Sequence, residues 1–310
     1  MTRVAAVDLG TNSTRLLVAD VGDGELTEVS RKLTITRLGE GVDERRRLLP
    51  VPIARVRNCL AEYRRELESL GAERTLCIAT SSVRDADNGE AFLGEIEWSY
   101  GFVTRLLSGD EEAATMLRGV LSDQRLAART LVVDIGGGST ELVVAGPNGV
   151  ESAVSTEAGS VRLTERFLHT DPPTREELDA CATHVRALLP SLEIQAAIGV
   201  AGTVTTAASI ALGGSPAVHG HRLTRGSVDE TLERLASLPL HDRERVAGLA
   251  PARAPVIVAG LIVLTHVLEQ YDIASLTVSE RDVLDGAALE AAALPEPEEG
   301  PAPPGAYTCC

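Results

Sequence analysis

Two stretches of this 310-residue chain carry one pattern, and it constrains the fold more than anything else in the sequence. Residues 8–19 read DLGTNSTRLLVA and residues 134–145 read DIGGGSTELVVA. At a constant offset of 126 residues they share D-x-G-x-x-S-T-x-L-x-V-A, so Asp8 matches Asp134, Gly10 matches Gly136 and Ser13 matches Ser139. In the second copy a short apolar run, Leu131 to Ile135, precedes the glycines, and another, Leu142 to Ala145, follows them. Short apolar runs of this length bounded by turn residues read as buried strands, so the glycines close a hairpin. A repeated strand–turn–strand unit predicts two related domains, each beginning with such a hairpin.

The hairpin excludes two common phosphate motifs. A dinucleotide fingerprint and a Walker loop both need a helix after the glycine turn, and the second also needs a lysine beside Ser or Thr. A β-rich run follows here instead, and the only lysine in the chain is Lys32. The glycines keep a physical use. Without Cβ atoms, Gly136, Gly137 and Gly138 let backbone N–H groups approach an anion. Asp134 at the strand end suits a hard cation such as Mg²⁺ that bridges to phosphate oxygens. A plain glycine turn capped by an acid is the other reading of this stretch. The copies differ in two ways: Thr11 and Asn12 stand where the second has glycines, and Arg15 stands opposite Glu141. An arginine there can pair with phosphate, whereas a glutamate can position a water.

Charge narrows the partners. Net charge is −16, with −4 over residues 1–125 and −12 over the rest, which argues against non-specific binding to nucleic acid. The longest apolar run, Val256 to Leu268, is too short to span a bilayer, so no membrane partner is expected. Aromatic residues are only 3%, so Val, Leu, Ile and Ala must fill the core. Cys59, Cys77 and Cys181 sit in apolar surroundings and read as buried free thiols; with no signal-peptide pattern, a cytoplasmic location is expected. Cys309 and Cys310 end a Pro-rich stretch, residues 295–310, whose composition reads as disordered.

Further elements follow in chain order. Leu26 to Leu38 reads as strand and Gly39 to Pro50 as a loop. Ile53, Val56, Leu60, Tyr63, Leu67 and Leu70 recur at helical spacing, and Gly71 ends that helix. The strand Thr75 to Ala79 leads into TSSVRDADN, residues 80–88, where Arg84 is a candidate for a phosphate edge and Ser a candidate helix cap. Ser108 and Glu111 have capping-box spacing before the next helix, which leaves Glu112 spare as a carboxylate on a fixed helix start. Such a group near two phosphate turns is a candidate general base, although helix-dipole compensation also explains it. Leu121 to Thr130 is polar and marks a boundary, giving domains 1–125 and 126–294, with the last helix free to pack back on the first. Thr174 with Glu177 and Ser227 with Glu230 predict further capping boxes. Gly202, Thr203 and Thr205 form a small-residue turn that reads as close helix packing rather than as an anion site. His219, His221, Arg222 and Arg225 read as a cationic rim rather than a metal site.

Repeated D-x-G-x-x-S hairpins in two domains resemble the actin, sugar-kinase and heat-shock-chaperone ATPase superfamily. Within it the ordered set Asp8-LGTNS, Thr80-SSVRDADN, Ser108-GDEEA, Asp134-IGGGSTE and Arg222-LT resembles the Ppx/GppA phosphatases over residues 1 to about 290. The resemblance implies an α/β fold of two duplicated ribonuclease-H-like domains with an interdomain cleft. It implies an exopolyphosphatase acting on inorganic polyphosphate with Mg²⁺, or alternatively a guanosine pentaphosphate 5′-phosphohydrolase; an ATP-using kinase or ATPase of the superfamily is the more distant alternative. It also implies a homodimer.

Carried over, Glu112 is the base that activates water, Glu141 serves the water, and Arg84 assists. Asp134 and Asp8 serve the metal, while Gly10, Thr11, Asn12 and Ser13 with Gly136, Gly137, Gly138 and Ser139 cradle the phosphoryl group. Two departures bear on substrate preference. Where many members read S-x-x-G-L-R-E-G, this chain has Ser279-ERDVLDG, with Asp282 in place of the glycine and Leu284 in place of the arginine; where members have Arg-Ala-Asp it has Arg253-Ala-Pro. Longer members carry a further helical domain, and a chain lacking it is expected to favour short polyphosphates.

Overall fold

A computed structural model describes residues 1–295; the expectations for the Pro-rich stretch beyond, Cys309 and Cys310 included, lie outside the described residues. The first half opens with an antiparallel meander, β1 (Thr2–Leu9), β2 (Ser13–Gly22) and β3 (Glu25–Ile35). A short α1 (Val42–Arg45) and the long α2 (Pro50–Ser69) follow. Then come β4 (Arg74–Ala79), α3 (Ser81–Arg84), α4 (Gly89–Tyr100), β5 (Val103–Leu106) and α5 (Gly109–Val120). The second half repeats the meander as β6 (Thr130–Ile135), β7 (Thr140–Gly146) and β8 (Gly149–Thr156). Helices α6 (Ser160–Phe167) and α7 (Arg175–Leu188) lead to β9 (Ala196–Val200) and α8 (Ala201–Ala211). The remainder is β10 (Arg222–Thr224), α9 (Arg225–Ser237), α10 (Leu240–Arg243), α11 (Ile257–Gln270), β11 (Ser275–Val278) and α12 (Val283–Ala291).

The sheets carry the repeat further than the sequence pattern does. The first runs β3-β2-β1-β4-β5, and the second, read in the same direction, runs β8-β7-β6-β9-β11 with β10 added at its edge. Asp8 pairs across the first hairpin with Arg15, and Asp134 pairs across the second with Glu141. The first meander has a bulge between Val18 and Ala19, and the second has one between Val144 and Ala145, the same step 126 residues on. A bulge makes a strand bend and twist more strongly, so both meanders curl away from their parallel strands at equivalent points.

Three apolar clusters fill the layers. One lies under α2 and α4, where Val56, Leu60, Tyr63 and Ile96 meet Val7 and Leu16 of the first sheet. A second joins the halves: Val4 and Leu17 of the first sheet, Val132 and Val143 of the second, Met116 of α5, and Leu284 and Ala288 of α12 share one core. The third gathers α7, α8, α9 and α11 against the outer face of the second sheet. Helix α12 follows a strand of the second sheet but packs on β1, β2, β4 and α5 of the first half. Glycines allow that approach: a Cβ on Gly119 would stand 1.8 Å from the Asp282 carbonyl, and one on Gly286 would stand 1.9 Å from that of Thr115. Polar ties add to it, with Arg118 and Thr115 both bonding Glu290 at 2.7 and 3.1 Å.

Several local expectations are met and some are corrected. The capping boxes at Ser108–Glu111 and Thr174–Glu177 form as read. The third does not: α9 begins at Arg225, and Thr224 is its cap, accepting from the Ser227 N–H. Thr224 ends the short β10, so the strand delivers the capping hydroxyl before Ser227 can serve. The strand at Leu26 ends at Ile35, because the Thr36 and Arg37 N–H groups turn to the Asn12 carbonyl instead. The loop from Gly39 contains one helical turn, α1, and the following helix starts at Pro50, with proline in the first turn where its missing N–H costs nothing. Cys59, Cys77 and Cys181 are buried free thiols. No helix among the described residues is long and apolar enough to cross a membrane.

Candidate active site

The two repeated turns meet. In each, the N–H of the first glycine bonds the serine carbonyl three residues on, Gly10 to Ser13 and Gly136 to Ser139, both at 3.0 Å. Gly137 and Gly138 lie against the first turn so closely that a Cβ on Gly137 would reach 2.8 Å from Thr11 Cβ. A Cβ on Gly138 would stand 2.3 Å from Ser81 Oγ and 2.8 Å from Thr11 Oγ1. The second turn therefore needs glycines because the first turn, with its larger Thr11 and Asn12, occupies the space.

Most of the loop carbonyls are taken. Gly39 donates to Thr11, Thr36 and Arg37 to Asn12, Ser160 to Gly136 and Val161 to Gly137. The N–H groups of Thr11, Asn12, Gly137, Gly138 and Ser139 have no protein acceptor among the described residues. Buried backbone donors without partners are uncommon, and several together in facing turns make an anion-binding concavity.

These turns line a cavity of about 80 Å³ between the halves. A water needs roughly 15 Å³ on this measure, so the space is on the scale of one phosphoryl group. Asp8, Asp134 and Glu112 line it, with Ser81 from the start of α3 and Ser160 from the start of α6. Glu112 comes from the first turn of α5 and is 8% exposed. The capping box occupies Glu111 and leaves Glu112 for the cavity, as its position in the sequence predicts. Burial, and then the nearby Glu141, push the Glu112 carboxyl well above the usual range, with Arg84 opposing at 3.4 Å.

Burial also raises Asp134 well above the ordinary aspartate value, helped by Glu141 and Asp282. Asp8 is raised by burial against the pull of Arg15, and its Oδ1 has no hydrogen-bond partner. Buried carboxylates with raised pKa values, one oxygen of them orphaned, form an electrostatic demand for a cation. Asp8 and Asp134 fit Mg²⁺ on this ground: a hard ion takes carboxylate oxygens and completes its shell with waters and substrate phosphates. Among the described residues no group of three His, Cys, Asp or Glu side chains is placed to hold a metal ion.

Not every expected residue reaches the cavity. Glu141 is 1% exposed and lies behind it on β7, where burial raises its pKa and the Ser155 hydroxyl donates to it at 2.7 Å. Arg84 and Gly138 line an adjoining cavity with Ser139, Ser155 and Arg162. Arg84 is partly spent on the Leu107 carbonyl and Glu112. Arg15 is not free for phosphate: it donates to Asp8 Oδ2 at 2.8 Å on one side and to Asp282 on the other.

The rim expected from Arg222 and Arg225 is elsewhere. Arg222 donates to Ser275 and Arg225 faces Asp272, and neither lines the cleft. His219 lies 3.6 Å from Asp123 in a separate cavity.

Other residues enter that the sequence reading left out of the site. Ala201, Gly202 and Thr203 line the cavity at the start of α8, so the small-residue turn is part of the site and not only a packing device. Ala201 adopts φ of 62°, the left-handed region, which costs a non-glycine residue about 1–2 kcal/mol. Gly202 makes room for Arg253, whose guanidinium would stand 1.8 Å from a Cβ there. Arg253 lines the same cavity, its side chain has no hydrogen bond or ion pair among the described residues, and its pKa is pushed down to about 10 by burial. The sequence signal for it was the Arg253-Ala-Pro segment, which keeps the arginine of the Arg-Ala-Asp pattern and departs at the proline.

Helix α6 closes the back of the site. Arg162 donates to the Gly138 carbonyl at 2.8 Å and pairs with Asp43 and Asp85 of the first half. Arg166 also pairs with Asp43, and Glu165 accepts from the Gly41 N–H at 3.0 Å. The glycine turn is thus tied through one arginine to two acids of the opposite half.

Known proteins match this arrangement along nearly the whole chain. The sequence signature of the Ppx/GppA phosphatase family matches residues 17–293. Exopolyphosphatase 2 of Mycobacterium tuberculosis is 40% identical, the match covering 94% of this chain and 99% of that one. A guanosine-5′-triphosphate,3′-diphosphate pyrophosphatase of Vibrio vulnificus is 31% identical over 92% of this chain and 58% of its own length. The crystal structure of an Aquifex aeolicus Ppx/GppA family member superposes with a TM-score of 0.78 at 30% identity, over 94% of this chain and 98% of that one. Two duplicated ribonuclease-H-like halves, facing phosphate-type turns and a match along the chain lead to one conclusion: this protein belongs to the Ppx/GppA phosphatase family.

Proposed function

We propose that the protein is an exopolyphosphatase that releases terminal orthophosphate from inorganic polyphosphate. One observation carries the reading: unpartnered N–H groups of both turns and the buried Glu112 belong to one cavity on the scale of a phosphoryl group. In this reading the terminal phosphoryl group rests on the N–H groups of Thr11, Asn12, Gly137 and Ser139, with Gly138 shaping the turn from the adjoining cavity. A water attacks phosphorus in line with the leaving chain. Glu112 takes the water's proton as the new P–O bond forms, and the bridging P–O bond breaks with its electron pair on the departing chain. A carboxyl raised by burial is a stronger base once ionised, which suits that step. Glu141, held by Ser155 behind the cavity, keeps the Glu112 side electronegative and so serves the water through Glu112.

Asp8 and Asp134 would hold Mg²⁺, which neutralises phosphate charge when bound. Arg253, with no partner of its own, takes the next phosphate along the chain, and Arg84 steadies Glu112. Positioning and charge neutralisation make up most of the catalysis in phosphoryl transfer, and these residues supply both.

The exopolyphosphatase of Mycobacterium tuberculosis, similar along nearly its full length, supports this substrate over guanosine pentaphosphate. The Vibrio vulnificus relative, matched over 58% of its length, keeps the nucleotide as the second reading. A cytoplasmic homodimer of two domains, 1–125 and 126–294, completes the proposal. The test is orthophosphate release, with Mg²⁺, from polyphosphates of defined length, guanosine pentaphosphate and ATP in parallel. Release from polyphosphate at the highest kcat/KM is expected; release from ATP alone would overturn the reading.

A further inference from the structure

Arg15 lies on the cavity wall, yet its charge is fully answered. Its Nε donates to Asp8 Oδ2 at 2.8 Å, its Nη2 lies 2.7 Å from the same oxygen, and its Nη1 pairs with Asp282. Asp8 is its cross-strand neighbour within the hairpin. Asp282 comes from the far end of the chain and is held rigidly. It is the cap of α12, accepting from the Leu284 N–H at 2.9 Å, while its own N–H donates to Asp285 at 3.0 Å. The carboxylate is 4% exposed. Arg15 and Asp282 also line a groove that continues from the cavity past Ala201, Gly202 and Arg253 toward Arg31 and Lys32. A polyanion leaving the cavity by that groove passes Arg253 and the Nη1 edge of Arg15 together, and Asp282 already occupies that edge. In the pattern this segment resembles, glycine stands at the position and offers no carboxylate.

We propose that Asp282 is a specificity-determining residue, a tethered anion that holds Arg15 and denies it to the second phosphate of the substrate. The inference rests on the polyphosphate reading for its substrate, but its test does not. Asp282 touches no reacting atom; it acts through Arg15. With Asp282 in place the substrate's inner phosphates find one free guanidinium, Arg253, and affinity for the chain is set low.

The test uses the full chain carrying Glu112→Gln, so that binding is measured without turnover, and inorganic tripolyphosphate as the probe in titration calorimetry. Asp282→Asn removes the charge and keeps an oxygen able to cap α12. It is expected to tighten tripolyphosphate by about 10-fold, the scale of one charge-assisted hydrogen bond. Glu280→Gln removes one negative charge from the same groove without touching Arg15, and is expected to change affinity by less than about 2-fold, since an exposed charge is screened. In an Arg15→Gln background the gain from Asp282→Asn should vanish. No gain, or a gain that persists without Arg15, overturns the proposal. Asp282→Ser repeats the measurement should the asparagine variant not fold. With Glu112 intact, the gain should lie in KM for polyphosphate and leave kcat within about 2-fold, which a loss of helix capping would not produce. If the wild type releases no orthophosphate from polyphosphate while Asp282→Asn still tightens tripolyphosphate through Arg15, the substrate reading falls and this proposal stands.

Discussion

Replacing Glu112 by Gln separates the chemical from the structural role of this buried carboxyl. The side chain is 8% exposed, with Glu141, Asp134 and Asp8 near enough to raise its pKa and only Arg84 opposing them. Loss of a general base costs about 10²–10⁴ in rate, or about 3–5.5 kcal/mol of transition-state stabilisation. The structural cost is small. The one interaction lost is the 3.4 Å pair with the partly exposed Arg84, and such pairs contribute at most about 1 kcal/mol. Against it stands the removal of a buried charge from an acidic cluster, which stabilises. For a chain of this size 1 kcal/mol moves Tm by about 2 °C, so at pH 8 the variant should melt no more than about 2 °C below the wild type, or above it. The assay is orthophosphate release from polyphosphate with Mg²⁺, paired with calorimetric melting and tripolyphosphate binding. Activity within 10-fold of wild type would remove Glu112 as the base. A drop in Tm beyond about 5 °C would refute the electrostatic argument, because the carboxylate would then be supporting the fold rather than straining it.

Four further outcomes are expected. Gly138→Ala puts a methyl 2.3 Å from Ser81 Oγ, so the turns must separate; orthophosphate release should fall by at least about 10²-fold, as misplacements near 1 Å do. Arg253→Ala removes a guanidinium that has no protein partner, so Tm should hold while KM for polyphosphate rises by about 10-fold or more, the scale of a charged hydrogen bond. Ala201→Gly relieves a left-handed alanine and should raise stability by about 1 kcal/mol in urea unfolding. Finally, Asp8, Glu112, Asp134 and Glu141 all have folded-state pKa values raised by burial, so the folded chain holds protons more tightly than the unfolded one. Their contribution is full below the ordinary carboxyl range and is lost as pH rises through the raised values. Asp43 and Asp282, lowered by their arginines, lose theirs only at acid pH, so the dependence above the ordinary carboxyl range comes mainly from the cavity acids, with Glu165, also raised by burial, adding to it. Metal-free protein should melt lower at pH 8 than at pH 6, with Mg²⁺ reversing the difference; equal melting at both pH values would contradict it.

Legibility followed the range of the interactions. The hairpins were readable because their determinants are local: strand runs, small turn residues and a fixed offset. Glu112 was readable for the same reason, since a capping box assigns Glu111 and leaves its neighbour over. Arg15 was misleading. Its sequence context suggested phosphate, but its partner Asp282 is 267 positions away and no local pattern encodes that pairing. The Gly202 turn was read as packing because the group it makes room for, Arg253, comes from a different segment. Arg162 stayed invisible likewise: Asp43 and Asp85 are surface-type residues in sequence and become its partners only when the halves close.

The path of α12 has a consequence for how the protein is made. The first half shares Val4, Leu17, Met116 and Val120 with a core that also takes Val132 and Val143 of the second sheet and Leu284, Ala287 and Ala288 of α12. Domains ordinarily fold as units while the chain emerges from the ribosome, the earlier one first. Here the earlier sheet is translated long before the helix that covers its inner face, so that face stays open until α12 arrives. Asp282 arrives with that same helix. The arginine of the first hairpin therefore acquires its partner only after the second sheet has been made, and the cleft and the covering of the first sheet mature together.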